Sequence, residues 1–314
     1  MSDSPEGIEL EKSFGVKGHP TFIATNAKGD VVDWWVGYKD PATFAASTAT
    51  ALADSTTVEQ KFIRLARTPS AGVAATLGRI KSARGQRAES LALYTRALEL
   101  DPAGPYLYPI FEQTAALQGR DGSGLTLADV KAAADAALAS PTGTPDNKVD
   151  LAMSMRRVAE REKDMKLIAP YVAAALEATK DVSSGWLVDA RKDLLVDEAL
   201  YVKGDGEAAA KLKRQAMPEG WMTDAGQLNE FAWWCFENNV NLADAETLAR
   251  KGVELSKPGE ERAQVLDTLA EILNLGKKSG EAVKLIEQAI TEDPTEDHYK
   301  KQLERFRTVV ASDM

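Results

Sequence analysis

Three windows of about 34 residues repeat one arrangement of small and bulky side chains, and that recurrence restricts the chain to stacked pairs of helices. In residues 71–104 the pattern runs Leu77, Gly78, Gly85, Leu91, Tyr94, Ala97 and Pro102. In 226–259 it starts with Leu228, Phe231, Ala232, Trp233 and Trp234 and continues through Ala245, Ala249 and Gly252. In 263–296 it reads Val265, Leu266, Leu269, Ala270, Ala282, Ile286, Ala289 and Pro294. Small residues let two helices approach, and larger ones fill the space between pairs. One such pair cannot bury its own apolar face, so neighbours must stack. Between these windows, residues 125–139, 147–162, 164–179, 184–203 and 205–216 read as amphipathic helices joined by glycine-containing turns. Gly119–Gly124 reads as a linker to a helix capped by Thr126. The closing segment, 295–312, puts Tyr299, Leu303, Phe306 and Val310 on one helical face and can cap the array.

Composition narrows the partners. The 314 residues carry 38 Lys and Arg against 48 Asp and Glu, a net charge of −10. That balance repels phosphate backbones, so nucleic acid is not expected as a partner. No apolar run approaches the roughly 18 residues that a membrane helix needs, so no membrane partner is expected either. The opening residues are polar and acidic and do not read as a signal peptide. One cysteine, Cys235, excludes an intrachain disulfide and a multi-cysteine metal site. The compartment stays undetermined, with the cytoplasm as the default.

The first 54 residues follow a different pattern. Ser4 and Pro5 can cap a short helix containing Ile8, Leu10 and Phe14, with Gly15 as its left-handed stop. Strands are predicted at about 20–25 and 30–36, joined at Gly29, and Asp40-Pro41 opens a second helix bearing Phe44, Ala45, Thr48 and Leu52. Val31 and Trp35 lie on one strand face, and Val32, Trp34 and Val36 on the other, so both faces expect cover. The Phe14–Thr21 segment, with His19-Pro20-Thr21 leading into this hairpin, resembles the C-terminal half of the thioredoxin fold. The resemblance implies a cis peptide bond before Pro20, with His19, Pro20 and Thr21 as a substrate-facing loop. It also implies that the half bearing Cys-x-x-Cys is absent and that the Thr21 strand has an open edge. Cover for that edge can come from further residues of a longer protein, from a second copy or from the rest of the chain. The first is the expected source, with Met1 read as an internal methionine.

The repeat windows resemble tetratricopeptide (TPR) repeats. The expected fold is therefore mainly α, a TPR-like α-solenoid over 55–314 preceded over 1–54 by a truncated thioredoxin-like helix–β-hairpin–helix segment. The resemblance implies a concave surface made by the first helix of each pair. Its groove-facing positions are Ala75 and Arg79 in the first repeat. They are Gln227, Glu230, Trp234, Glu237 and Asn238 in the second, and Gln264, Asp267, Glu271 and Asn274 in the third. These are mainly acids and amides, which suit a basic or polar polypeptide segment better than a carboxylate. Pairing of two copies through the hairpin edge is a further expectation.

No catalytic constellation is readable. His19 and His298 are isolated from each other and from Cys235, so no metal ligand set and no nucleophilic triad appears, and no cofactor is expected. Cys235, between Trp234 and Phe236, reads as a buried structural thiol. The leading function is a non-catalytic protein-interaction scaffold. The alternative is a fragment of a thioredoxin-family thiol–disulfide oxidoreductase or chaperone. Thiol–disulfide exchange needs a second thiol to resolve the mixed disulfide. An insulin-reduction assay should therefore show no turnover, and robust turnover abolished by Cys235→Ser would overturn that reading.

Overall fold

The computed structural model describes residues 4–38 and 40–312 and is mainly helical. The reading of Met1 as an internal methionine falls outside the described residues. The chain divides into two compact units, Met1–Asp164 and Met165–Met314. The boundary expected at 54/55 lies inside the first unit, because the hairpin packs on the helices that follow it.

The first unit opens with α1 (Pro5–Phe14), whose first turn is closed by Ser4 Oγ accepting from the Gly7 amide and whose end is Gly15 at φ 68°. Strands β1 (Thr21–Thr25) and β2 (Val31–Val36) form an antiparallel pair with Phe22 opposite Trp35 and Ile23 opposite Trp34. The Asn26 side chain fixes the turn by accepting from the Lys28 and Asp30 amides. The His19-Pro20 peptide bond is cis. Then come α2 (Pro41–Ala53), α3 (Val58–Arg67), α4 (Ala71–Ala83), α5 (Arg87–Leu100), α6 (Leu107–Leu117), α7 (Leu127–Leu138) and α8 (Pro145–Glu162). Neither α3 nor α6 was anticipated from the sequence. Pro109 is accommodated in the first turn of α6, where no backbone donor is lost.

Both faces of the hairpin are covered from within the unit. Residues facing each other across the ladder share a face, so Ile23 and Trp34 lie on one side and Phe22 and Trp35 on the other. Phe14 of α1 meets Trp34 edge-on at 6.2 Å, and the Arg84 guanidinium stacks over the same indole at 4.8 Å. Phe44 of α2 meets Phe22 at 4.9 Å on the opposite face, where Phe22 stacks on Trp35 at 5.6 Å. The cover expected for both faces comes from within the chain. Helices α1, α2 and α4 supply it.

The outer edge of β2 is closed by side chains. Lys61 of α3 donates to Val32 O at 3.0 Å, and Arg79 of α4 donates to Trp34 O at 3.0 Å. Asp33, 2% exposed, accepts both from its neighbour's amide and from Arg79 at 2.8 and 2.7 Å. The buried Lys61 ammonium also reaches Asp54 O and Thr56 O, with the Asp54 carboxylate at 3.7 Å. Burial depresses the Lys61 pKa despite the Asp54 and Asp33 charges beside it. Burial opposes ionisation of Asp54 as well, but bonds from Arg64 and Thr56 and the Lys61 charge outweigh it, so its carboxyl lies far below the usual range.

The second unit begins with a 3₁₀ turn (Met165–Ile168) and α9 (Ala169–Ala178). Then α10 (Trp186–Asp197) runs into a π-helical turn (Glu198–Val202). Helices α11 (Gly206–Ala216), α12 (Ala225–Glu237), α13 (Leu242–Leu255), α14 (Glu260–Leu275), α15 (Ser279–Glu292) and α16 (Asp297–Ser312) complete it. The sequence windows 71–104, 226–259 and 263–296 correspond to the pairs α4–α5, α12–α13 and α14–α15. Their small residues are the contact points: Ala97, Ala232, Ala245, Ala249, Ala270, Ala282 and Ala289 are fully buried. Gly252 stands where the repeat prefers alanine because a Cβ there would lie 3.0 Å from Val265 Cγ1 of the next pair.

Arg79→Ala should leave Asp33 as an unpaired buried carboxylate and cost about 3 kcal/mol. Hydrogen exchange should then quicken at the hairpin amides and leave those of α14 and α15 unchanged. Unaltered hairpin exchange would show that the pair is dispensable.

Candidate functional site

The first helices of the last two pairs, α12 and α14, pack against each other, and most of the expected groove residues sit on them. Gln227, Glu230, Trp234 and Glu237 follow helical spacing along one side of α12. Glu230 and Glu237 are exposed and Gln227 is half-buried. Glu230 is held by Lys213 of α11 at 2.9 Å. Trp234 turns inward, packs on the Val196–Ala199–Ala209 cluster and lies 6.3 Å from the Phe231 ring. Asn238 accepts from the Tyr201 hydroxyl at 2.7 Å and donates to Trp234 O at 2.8 Å, so it locks the end of α12.

Of the expected groove residues on α14, Gln264 alone is exposed. Asn274 accepts from Ser279 Oγ at 2.9 Å and caps the turn into α15. Asp267 and Glu271, one helical turn apart, face α16 instead of an open groove. Gln302 and Arg305 both donate to Glu271, and His298 Nε2 stands 3.8 Å from Asp267. Residues 298, 302 and 305 form a polar stripe on α16 that complements the acids of α14. The complementarity of the two stripes was the available signal, and reading α16 only through its apolar face missed it. Burial raises the Asp267 carboxyl to about 6; Glu271 adds to the rise, while His298, Gln302 and Arg305 oppose it. Asp267 Oδ1 is buried without a hydrogen-bond partner.

In the first unit, Ala75 is half-buried on α4, and Arg79 is not groove-facing, because the buried Asp33 carboxylate takes its guanidinium. His19, Pro20 and Thr21 stand at the start of β1 and line a cleft of about 880 Å³ between α1 and α2. His19 is exposed and pairs with Glu11 at 2.7 Å, while Thr21 Oγ1 donates to Gly18 O at 2.5 Å. Cys235 is fully buried, as its apolar setting predicts, and burial with the Asp244 charge pushes its thiol up to about 12. A thiol in that state is neutral near neutral pH and is a poor nucleophile. Among the described residues no three His, Cys, Asp or Glu side chains gather as a metal set, and no helix is long and apolar enough to cross a membrane.

No family model and no curated protein matches the sequence. Solved structures with similar folds include tetratricopeptide repeat proteins. One from Parabacteroides merdae is 13% identical with a TM-score of 0.44, over 85% of this chain and 96% of that one. YrrB, a TPR protein with an unusual peptide-binding site, is 14% identical with a TM-score of 0.39, over 79% and 99%. A chain of the APC/C hetero-tetramer Cut9–Hcn1 is 14% identical with a TM-score of 0.42; the match spans 78% of this chain but only 44% of that one. Overlap at this level shows what the chain is similar to, and the helix pairing itself carries the account of the fold.

A carboxyl that binds its proton more tightly folded than unfolded weakens the fold while ionised, above its folded pKa, and the penalty fades as pH falls. Asp267→Asn should therefore stabilise the second unit at pH 8 by on the order of 2 kcal/mol. The gain should shrink from pH 6 down to pH 4. Urea titrations at the two ends of that window, read by fluorescence, test it. A variant less stable than the parent at pH 8 would show that Asp267 is held as a useful anion.

Proposed function

We propose that the chain is a non-catalytic scaffold whose TPR-like helix pairs hold a polypeptide partner. The observation that carries this reading is the strip of exposed polar side chains on α12 and α14, Glu230, Glu237 and Gln264, with Gln227 beside them. These side chains stand on rigid helices whose backbone groups are already paired, so recognition there falls to side chains. Two of the four are acids and none is basic, so a basic or polar segment in extended form is the best electrostatic match. Trp234, Asn238, Asp267, Glu271 and Asn274 support the surface from within by fixing the angles between helices. The functional division proposed remains 1–54 and 55–314, with the helical repeats as the binding part.

A second reading keeps α1–β1–β2–α2 as a redox-inactive, thioredoxin-like segment. The order of elements and the placement of α1 and α2 on opposite faces of the hairpin favour it. The buried, neutral state of Cys235 argues against thiol chemistry in the chain as it stands.

An array of short synthetic peptides with graded lysine content tests the scaffold reading. Saturable binding should concentrate on basic members, weaken with salt, and fall about tenfold or more in the Glu230→Lys, Glu237→Lys double variant. Binding that ignores the charge reversal would remove this surface from the proposal.

A further inference from the structure

The two edges of the hairpin differ. Pro20 O accepts from the Gly37 amide, and backbone groups alternate in direction along a strand. Phe22 and Ala24 therefore pair with β2, while the N–H and C=O groups of Thr21 and Ile23 point away from it. No third strand adjoins β1 among the described residues. The outer edge of β2 is closed by Lys61, Asp33 and Arg79. The outer edge of β1 opens into the cleft of about 880 Å³. Leu10 and Phe14 of α1, one turn apart, form one wall, and Phe44 and Thr48 of α2 form the other. Leu10 is 52% exposed and Phe44 37%, a large apolar presentation for two neighbouring helices.

We propose that β1 accepts an extended segment of another protein as a third strand, with a run of about five uncharged residues in the cleft and a basic flank beyond α1. A strand is the occupant that answers the unpaired main-chain groups, which a small apolar ligand would leave buried and unsatisfied. Because the walls stand on opposite faces of the sheet, successive side chains of the incoming strand would meet α1 and α2 in turn. Both sets are apolar, so the segment reads as a continuous apolar run without polar alternation. The basic flank follows from charge. Exposed Glu6 and Glu9 lie on α1, the helix that forms one wall, and the acid lining the cleft, Glu11, is paired with His19. A second copy is the poorer occupant. Antiparallel pairing of two β1 strands about a twofold normal to the sheet keeps each face on its own side, so it would set the two acidic α1 helices next to each other.

The probe is an acetylated, amidated peptide of Val-Phe-Val-Ile-Thr flanked by pairs of lysines, added to the full chain. Hydrogen exchange should slow at the Thr21 and Ile23 amides, and fluorescence titration should saturate. N-methylation of alternate amides along one peptide edge should weaken binding about tenfold or more without any change to the protein. Ile23→Pro should do the same while the hairpin persists, since proline is tolerated on an edge strand whose N–H faces outward. Three results would overturn the proposal. One is binding that ignores both N-methylation and Ile23→Pro. Another is any titration that does not give saturation together with slowed exchange at Thr21 and Ile23. The third is a stable dimer by light scattering whose Thr21 and Ile23 amides are already protected, which would place a second copy on the edge.

Discussion

The first unit depends on one buried carboxylate. Asp33 sits in the middle of β2, where a strand between two apolar layers would ordinarily carry an apolar side chain. Removing a carboxylate from water costs several kcal/mol, and only close, well-formed bonds offset it. Arg79 supplies two of those bonds and passes another to Trp34 O, so one side chain of α4 both neutralises the acid and occupies the strand edge. Lys61 does the equivalent one step along the strand with Val32 O. The consequence is positional. A strand of this composition could slide against apolar helices, but a carboxylate that finds its partner in one register cannot. The hairpin is thereby joined to α3 and α4 as part of one unit.

The second unit rests on shape more than on charge. Ala245, Ala249, Ala282 and Ala289 bring helices close, and Gly252 lets α14 approach where a Cβ would meet Val265 at 3.0 Å. Ion pairs tie the outer sides: Glu246 accepts from Arg250 at 2.9 Å and from Lys278 at 2.8 Å, and Arg250 reaches Glu281 at 2.7 Å. This spends part of the acidic surplus internally. Glu271 is likewise committed to Gln302 and Arg305. Net charge therefore overstates how acidic the accessible surface is.

The helix pairs were legible because their signal is local: small residues at fixed spacing report a close helix approach whatever lies beyond. The hairpin was legible for the same reason, through Asn26, Gly29 and the β-branched run after them. The covering layer was not legible. Nothing in the local pattern joins Asp33 to Arg79, a position read as groove-facing 46 residues later, and only the fold brings them within 2.7 Å. Of the positions read as groove-facing, Glu230 and Gln264 are exposed, while Asp267 and Glu271 face α16, and one fact was missing from the sequence reading. Repeat logic assigns a face by position within the pair, and it does not report that α16 lies against the last pair with a complementary polar stripe.

The two surfaces left open are incomplete in different ways, and that difference sets what each can recognise. On α12 and α14 the backbone is satisfied, and affinity must come from side chains whose charges are screened over about 8 Å at physiological ionic strength. Such a surface selects for composition and tolerates many backbone paths. Along β1 the side-chain walls are apolar and the backbone is unsatisfied. Affinity there comes from main-chain bonds that any non-proline residue can make, so selection acts on conformation and on the absence of charge. A partner suited to one is poorly suited to the other: a lysine-rich segment would have to desolvate its charges against Leu10 and Phe44, and an apolar strand finds no unpaired main chain on the helices. On the two proposals made above, a charge-reading surface is separate from a backbone-reading edge, and one device underlies both. Where main-chain groups are already paired, within the helices and along β2 behind Lys61 and Arg79, only side chains remain to be read.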